Sequence, residues 1–265
     1  EESNNFSDLL NFNYKFRSIN QENTLSNYDK IYLQTSTFDD VNKLTEFIKG
    51  ITGSDLEAMK IDIDTEKFLT YSYVCIDRAA WNSNKNFENI KYNFNKYANF
   101  LPADNSVELE QDDAKQFSEW KYAKFGFTKQ GVVLFTSSSD INNFTELPDK
   151  FENEYFYTYI LNLYKKIYLK KLETEFKKLS NVKKARKKFI DFTKNVWILD
   201  ITTDEVGSKI NLIIGKTFEL DRLFTEIKTK YDVLYKESNI ENNSKIMLVV
   251  AIILGVSLVF NVLNY

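Results

Sequence analysis

The chain has 265 residues, with 35 Lys and Arg against 38 Asp and Glu, a net charge of −3, no histidine and one cysteine, Cys75. This slightly acidic balance argues against nucleic acid as a partner, and the missing histidines remove the commonest general base and transition-metal ligand. A lone cysteine forms no internal disulfide and suits a reducing cytosol.

With no initiator methionine, the sequence reads as a fragment or a processed form, and Glu1 begins no apolar signal segment. Residues 1–28 read as a loose polar segment with one short strand, Asn13–Arg17. Residues 29–148 read as a cytoplasmic α/β domain. Lys30–Gln34 and Phe68–Asp77 are rich in β-branched and aromatic residues and are expected as strands. Phe38, Val41, Leu44, Phe47 and Ile48 recur at helical spacing, so Phe38–Lys49 is expected as a helix stopped by Gly50. Ile61-Asp62-Ile63-Asp64 alternates apolar and acidic residues. On a strand Asp62 and Asp64 share one face, either as a solvated edge or as ligands for Mg²⁺ or Ca²⁺ with waters. Cys75 lies in an apolar strand with no basic neighbour and reads as inert core. Asn86–Phe100 is a second expected helix. Tyr122–Thr128 and Val132–Thr136, joined by Lys129-Gln130-Gly131, form the clearest hairpin.

After Pro148 the pattern turns helical, and residues 149–200 read as an antiparallel pair. Asn153–Ser180 carries apolar residues at three-to-five-residue steps, Asn181 breaks it, and Val182–Asn195 returns. Residues 163–195 hold 12 Lys and Arg against 3 Asp and Glu. Lys183, Lys184, Arg186, Lys187 and Lys188 concentrate that charge. They form either a solvated helix face or a site for anionic headgroups or an anionic regulator. No aromatic platform is interleaved as single-stranded nucleic acid would need.

A stalk helix is expected over residues 201–245, capped by Thr202 with Glu205 three residues on. Ile213, Thr217, Leu220, Phe224, Ile227, Tyr231, Leu234 and Ser238 follow at steps of 4, 3, 4, 3, 4, 3 and 4. Such a seam recurs every ~3.5 residues and presents a helix to similar helices. Those helices are either other copies of the chain or its own segments 153–180 and 182–195. In the same register come Glu241, Lys245, Leu248, Ile252, Gly255, Val259 and Val262. Ile246–Leu263 is an uncharged run of 18 residues broken only by Ser257 and Asn261. At ~1.5 Å per residue it reaches about 27 Å, enough to cross a bilayer core. Stalk and span together read as one rod from Thr203 onward, with the preceding lysines keeping the N-terminal side in the cytoplasm.

Leu220-Asp221-Arg222-Leu223-Phe224 and Tyr231-Asp232-Val233-Leu234-Tyr235, running straight into the apolar segment, give this region a familiar order. Phe125-Gly126-Phe127-Thr128, Tyr155-Phe156 and Trp197-Ile198-Leu199-Asp200 precede them. Over roughly residues 120–265 the arrangement resembles a remote bacterial branch of the CorA-like divalent-cation transporter superfamily. The resemblance implies an assembly, typically pentameric, around a central pore. The family's Gly-Met-Asn loop has no matching position, Met247 being the only methionine near the run, and the missing second span reads either as a sequence cut short or as a single-pass relative that selects ions with other groups.

The fold expected is therefore α+β: a cytoplasmic α/β domain, long antiparallel helices, and a stalk continuous with a transmembrane helix. The function expected is a homo-oligomeric membrane protein that transports Mg²⁺-type cations or opens as a ligand-gated channel. Ser238, Glu241 and Lys245 would ring its mouth, Leu248, Ile252, Gly255 and Val259 its pore, and Asn261 would face protein or pore. The alternative is a tail-anchored oligomeric scaffold or a small-ligand-triggered effector without selective transport. Partners on either reading are the chain itself, the lipid bilayer and a small cytoplasmic ligand. No cofactor is expected beyond Mg²⁺ as a transported or regulatory ion. No enzyme is expected, since Ser137-Ser138-Ser139 has no base partner and no nucleotide motif is present.

Overall fold

The computed structural model describes residues 5–17, 32–35, 38–43, 69–78, 81, 84–104, 114–177, 182–198, 202 and 204–263. These form an α+β fold in two compact units, Glu1–Phe156 and Tyr157–Tyr265.

The first unit holds α1 (Phe6–Arg17), β1 (Tyr32–Thr35), β2 (Phe38–Lys43), β3 (Thr70–Ile76) and α2 (Asn84–Ala98). β4 (Lys115–Phe117), β5 (Ala123–Thr128), β6 (Gly131–Ser137) and α3 (Glu146–Lys150) follow, and a π-turn over Phe151–Tyr155 completes it. β3, β6, β5 and β4 lie side by side in that order; β3 is parallel to β6, and the other pairs are antiparallel. Alternation along the strands gives the sheet two buried faces. On one, Val133 and Phe135 join Leu10 of α1 and Phe87, Ile90, Phe94 and Tyr97 of α2. Phe135 meets Phe94 and Tyr97 edge-on, with centroids 5.1 and 5.2 Å away. On the other, Phe125 packs against Phe151 and Tyr155. Gly126 lets α2 approach, because a Cβ there would sit 2.7 Å from the Phe94 ring.

The hairpin β5–β6 forms where expected, turning between Thr128 and Gly131. Two expectations are corrected. Asn13–Arg17 is not a strand but the last part of α1, where Leu10 is buried and Asn13 Nδ2 donates to the Tyr97 carbonyl at 2.9 Å. Phe38–Lys43 is not helical but β2, antiparallel to β1 with Tyr32 opposite Lys43 and Thr35 opposite Phe38. A partner strand only a few residues upstream supplies the backbone bonds that a helix would have made internally. Residues 44–49 and the Ile61–Asp64 segment lie outside the described residues.

The second unit contains α4 (Phe156–Lys177, whose first residue belongs to the other unit), α5 (Val182–Asn195), α6 (Glu205–Thr217) and α7 (Leu220–Leu263). α4 and α5 form the expected antiparallel pair: Tyr168 stacks on Phe192 at 4.9 Å, and Lys188 Nζ reaches Glu175 Oε1 at 2.5 Å. The upper part of α7 lies in their groove. Leu169, Leu172, Phe176, Ala185, Phe189, Phe192, Leu223 and Ile227 share one core. Each large aliphatic or aromatic side chain buried there contributes about 1.5–3 kcal/mol of transfer free energy. α6 joins α4 through a buried amide pair, Asn162 Nδ2 donating to Asn211 Oδ1 at 2.7 Å.

The single rod expected from Thr203 is broken. Phe218 leaves the helix at ψ −3°, and Glu219 takes φ 57°, the left-handed region that closes a helix. Arg222 bridges Glu219 and Glu226 just beyond the break. The expected cap is also displaced. Asp204, not Thr202, caps α6, its carboxylate accepting from Gly207 N at 3.0 Å, while Thr202 Oγ1 accepts from Asp204 N.

Candidate functional site

α7 is 44 residues long, about 66 Å at ~1.5 Å per residue, and its two halves meet different surroundings. From Leu220 to Leu234 one side is occupied by the chain's own helices. Trp197 stacks on Phe224 at 4.3 Å, Phe189 lies 5.6 Å from Phe224 and 5.3 Å from Tyr231, and Lys230 pairs with Glu173 of α4. Thr217, Leu220 and Ile227 are buried, Ile213, Phe224, Tyr231 and Leu234 half-buried. Over Leu220–Leu234 the seam packs at least in part against α4 and α5 of the same chain. A 3.5-residue repeat specifies a helix neighbour, and α4 and α5 supply one.

Beyond the bundle the helix continues without proline, and its character inverts. Ile246, Met247, Leu248, Val249, Val250, Ile252 and Ile253 are 48–73 % exposed. They span two helical turns, so every side of the cylinder is apolar, unlike a surface helix with its polar stripe. Ser244 and Lys245, just before them, are exposed. Gly255, Val259 and Asn261 continue the helix to Leu263, but their side chains, with those of Ser238 and Glu241, lie outside the described residues. Among the described residues no helix is long and apolar enough to cross a membrane.

The basic run on α5 divides into two sets. Arg186 turns inward, its guanidinium 5.6 Å from the Tyr231 ring and 4.9 Å from the Tyr235 ring. Lys188 is held by Glu175. Lys183, Lys184 and Lys187 are exposed and form no ion pair among the described residues. The structure thus makes two of the five cations part of the bundle's packing and leaves three facing solvent. The Arg186–tyrosine contacts could have been suspected only from the four-residue step between Tyr231 and Tyr235.

The first unit carries a cleft of about 410 Å³ lined by Tyr71, Tyr73, Phe151, Glu152 and Phe156. Tyr71 stacks on Phe151 at 4.1 Å and meets Phe156 edge-on. Both phenols are committed, Tyr71 OH to the Phe151 carbonyl at 2.8 Å and Tyr73 OH to the Asn143 carbonyl at 2.7 Å. Burial pushes the Tyr73 phenol up to about 12, so it stays neutral. The cleft therefore offers ring faces and the exposed Glu152 carboxylate, surroundings suited to a cation with an apolar body. Sequence reasoning missed it. The Tyr71/Tyr73 alternation shows one strand face but not the π-turn that folds over it.

Cys75 is corrected from core to surface: it is exposed on β3, with its thiol pKa pushed up foremost by partial burial. Asp62 and Asp64 lie outside the described residues, among which no cluster of three or more carboxylates and cysteines could hold a metal ion. No family model, curated protein or solved structure matches this chain.

Proposed function

We propose that the chain is a membrane-anchored protein in which α7 carries the helical bundle on its upper half and enters the bilayer with its lower half. The observation behind this reading is the apolar surround of Ile246–Ile253 on a helix that continues through further uncharged residues to Leu263. Left in water, that surface costs about 25 cal/mol for every Å² of apolar area, and a hydrocarbon environment removes the cost without requiring any polar stripe. A two-sided protein groove would instead select one face of the helix.

A second reading adds conduction. Several copies would convert the register Ser238, Glu241, Lys245, Leu248, Ile252, Gly255 and Val259 into rings, with Glu241 gathering cations and the apolar rings gating by dewetting. Packing of the upper seam against α4 and α5 supports placing such rings in this lower segment. The aromatic cleft favours a ligand-responsive form, in which a small organic cation binds the first unit.

Reconstituted protein tests both. The anchor reading expects co-flotation with neutral vesicles that resists alkaline extraction, and release by alkali contradicts it. The conduction reading further expects Mg²⁺ or monovalent cation flux, lowered at least several-fold by Glu241→Gln. Tight vesicles containing extraction-resistant protein would leave a scaffold.

A further inference from the structure

We infer that the N-terminal end of α5 is a docking surface for anionic lipid headgroups, resting on the reading of α7 as a membrane anchor. Three observations converge on one end of the second unit. First, α5 runs antiparallel to α7: Phe189 meets Phe224 and Tyr231, and Arg186, one turn earlier, meets Tyr231 and Tyr235. The N-terminal end of α5 therefore points toward the apolar half of α7. Second, that end carries the exposed Lys183, Lys184 and Lys187, while the inward cations Arg186 and Lys188 fix its orientation on Tyr235 and Glu175.

Third, the spacing fits. From Tyr235 to Ile246 the helix advances 11 residues, about 16 Å, and Lys183 lies one turn beyond Arg186, about 4.5 Å nearer. Lys183 and Lys184 thus stand about 12–14 Å above the first apolar residue, and Lys187, one residue on the far side of Arg186, about 18 Å. A headgroup layer occupies roughly 5–7 Å of that height. For Lys183 and Lys184 the remainder is about the ~8 Å Debye length at physiological ionic strength or less, so the surface feels these two charges most and Lys187 least. The α7 segment that crosses this height, Lys236 to Lys245, carries Lys236, Glu237, Glu241 and Lys245 and is neutral overall. Nearby α4 adds Glu173 and Glu175, each already held by lysine, and the exposed Lys177. Against the lysines stands the exposed Asp232 of α7, so among the described residues the exposed lysines outnumber the unpaired carboxylate at this end of α5. Phosphate- and carboxylate-bearing headgroups are its complement, at about 1 kcal/mol per cation near the surface.

The test uses the full chain reconstituted in vesicles containing trace spin-labelled phosphatidylserine or phosphatidylcholine. The fraction of each lipid slowed by the protein is read by electron paramagnetic resonance. The inference expects several-fold preference for phosphatidylserine, abolished in ~0.5 M salt and in the triple variant Lys183→Glu, Lys184→Glu, Lys187→Glu. Equal association of both lipids overturns the inference while leaving the anchor intact. Preference retained by the triple variant also overturns it, assigning the effect to cations such as Lys245. No slowed lipid of either kind overturns the anchor reading and this one with it.

Discussion

Gly131 sits where β3 passes β6, and a Cβ there would lie 2.3 Å from the Thr70 carbonyl oxygen, a backbone atom that cannot swing aside. Gly131→Ala is expected to cost about 1–3 kcal/mol in denaturant unfolding, as overpacking does. Gly215, inside α6, has nothing nearer than Asn162 Oδ1 at 3.8 Å, so Gly215→Ala is expected to gain about 0.5–1 kcal/mol of helix propensity. Equal effects at the two positions would contradict the packing described. Glu173 offers a pH handle. Hydrogen bonds from Lys177 and Lys230 hold its carboxyl below the usual value of 4.5. A carboxyl with a lowered folded pKa contributes stability above its unfolded value, and that stability is lost as pH falls through the folded one. The thermal midpoint of wild type should exceed that of Glu173→Gln at pH 7, and the gap should close below about pH 4.5. A gap constant with pH would exclude the ion pairs as its source. Gly131 does not stand out in the bare sequence, because Thr70 lies 61 positions away, and neither does the Glu173 contact to Lys230, 57 positions away.

At the scale of elements, the periodic segments were the readable ones. β5 and β6, α2, α4 and α5 each carry enough residues of one period for pattern alone to place them. Phe38–Lys43 shows the limit: Phe38 and Val41, which fit a helical spacing, lie instead in a strand paired with β1. The break at Phe218-Glu219 left no trace because neither residue is a glycine, the usual occupant of left-handed backbone. The α7 seam carried the periodicity but did not name its neighbour, since a heptad-like stripe serves a bundle and an oligomer equally, and α4 and α5 occupy part of it. Ile227 separates these meanings. It is 1 % exposed against α4 and α5, so Ile227→Ala should lower helical unfolding stability by about 2–5 kcal/mol. A folded, fully stable variant with halved mass in solution would return the seam to an interface between copies.

At the scale of the whole molecule, the account assigns one helix to two solvents. Its upper half is stabilised by aromatic and aliphatic contacts within the bundle, and over Ile246–Ile253 it offers water an apolar surface on every side. The composition of Ile246–Leu263 made that half legible at once, because eighteen uncharged residues need no tertiary context to declare themselves. The aromatic cleft was illegible for the opposite reason: it exists only where β3 and the π-turn meet. The central claim is the path of α7 through the bilayer. It is tested most directly by placing single nitroxide-labelled cysteines along residues 243–262, in a Cys75→Ser background, and measuring oxygen against aqueous-relaxant accessibility in vesicles. The account predicts a depth profile that rises to one maximum near Gly255 and falls toward both ends. A profile uniformly open to water, with no rise in oxygen preference toward the middle, would contradict it.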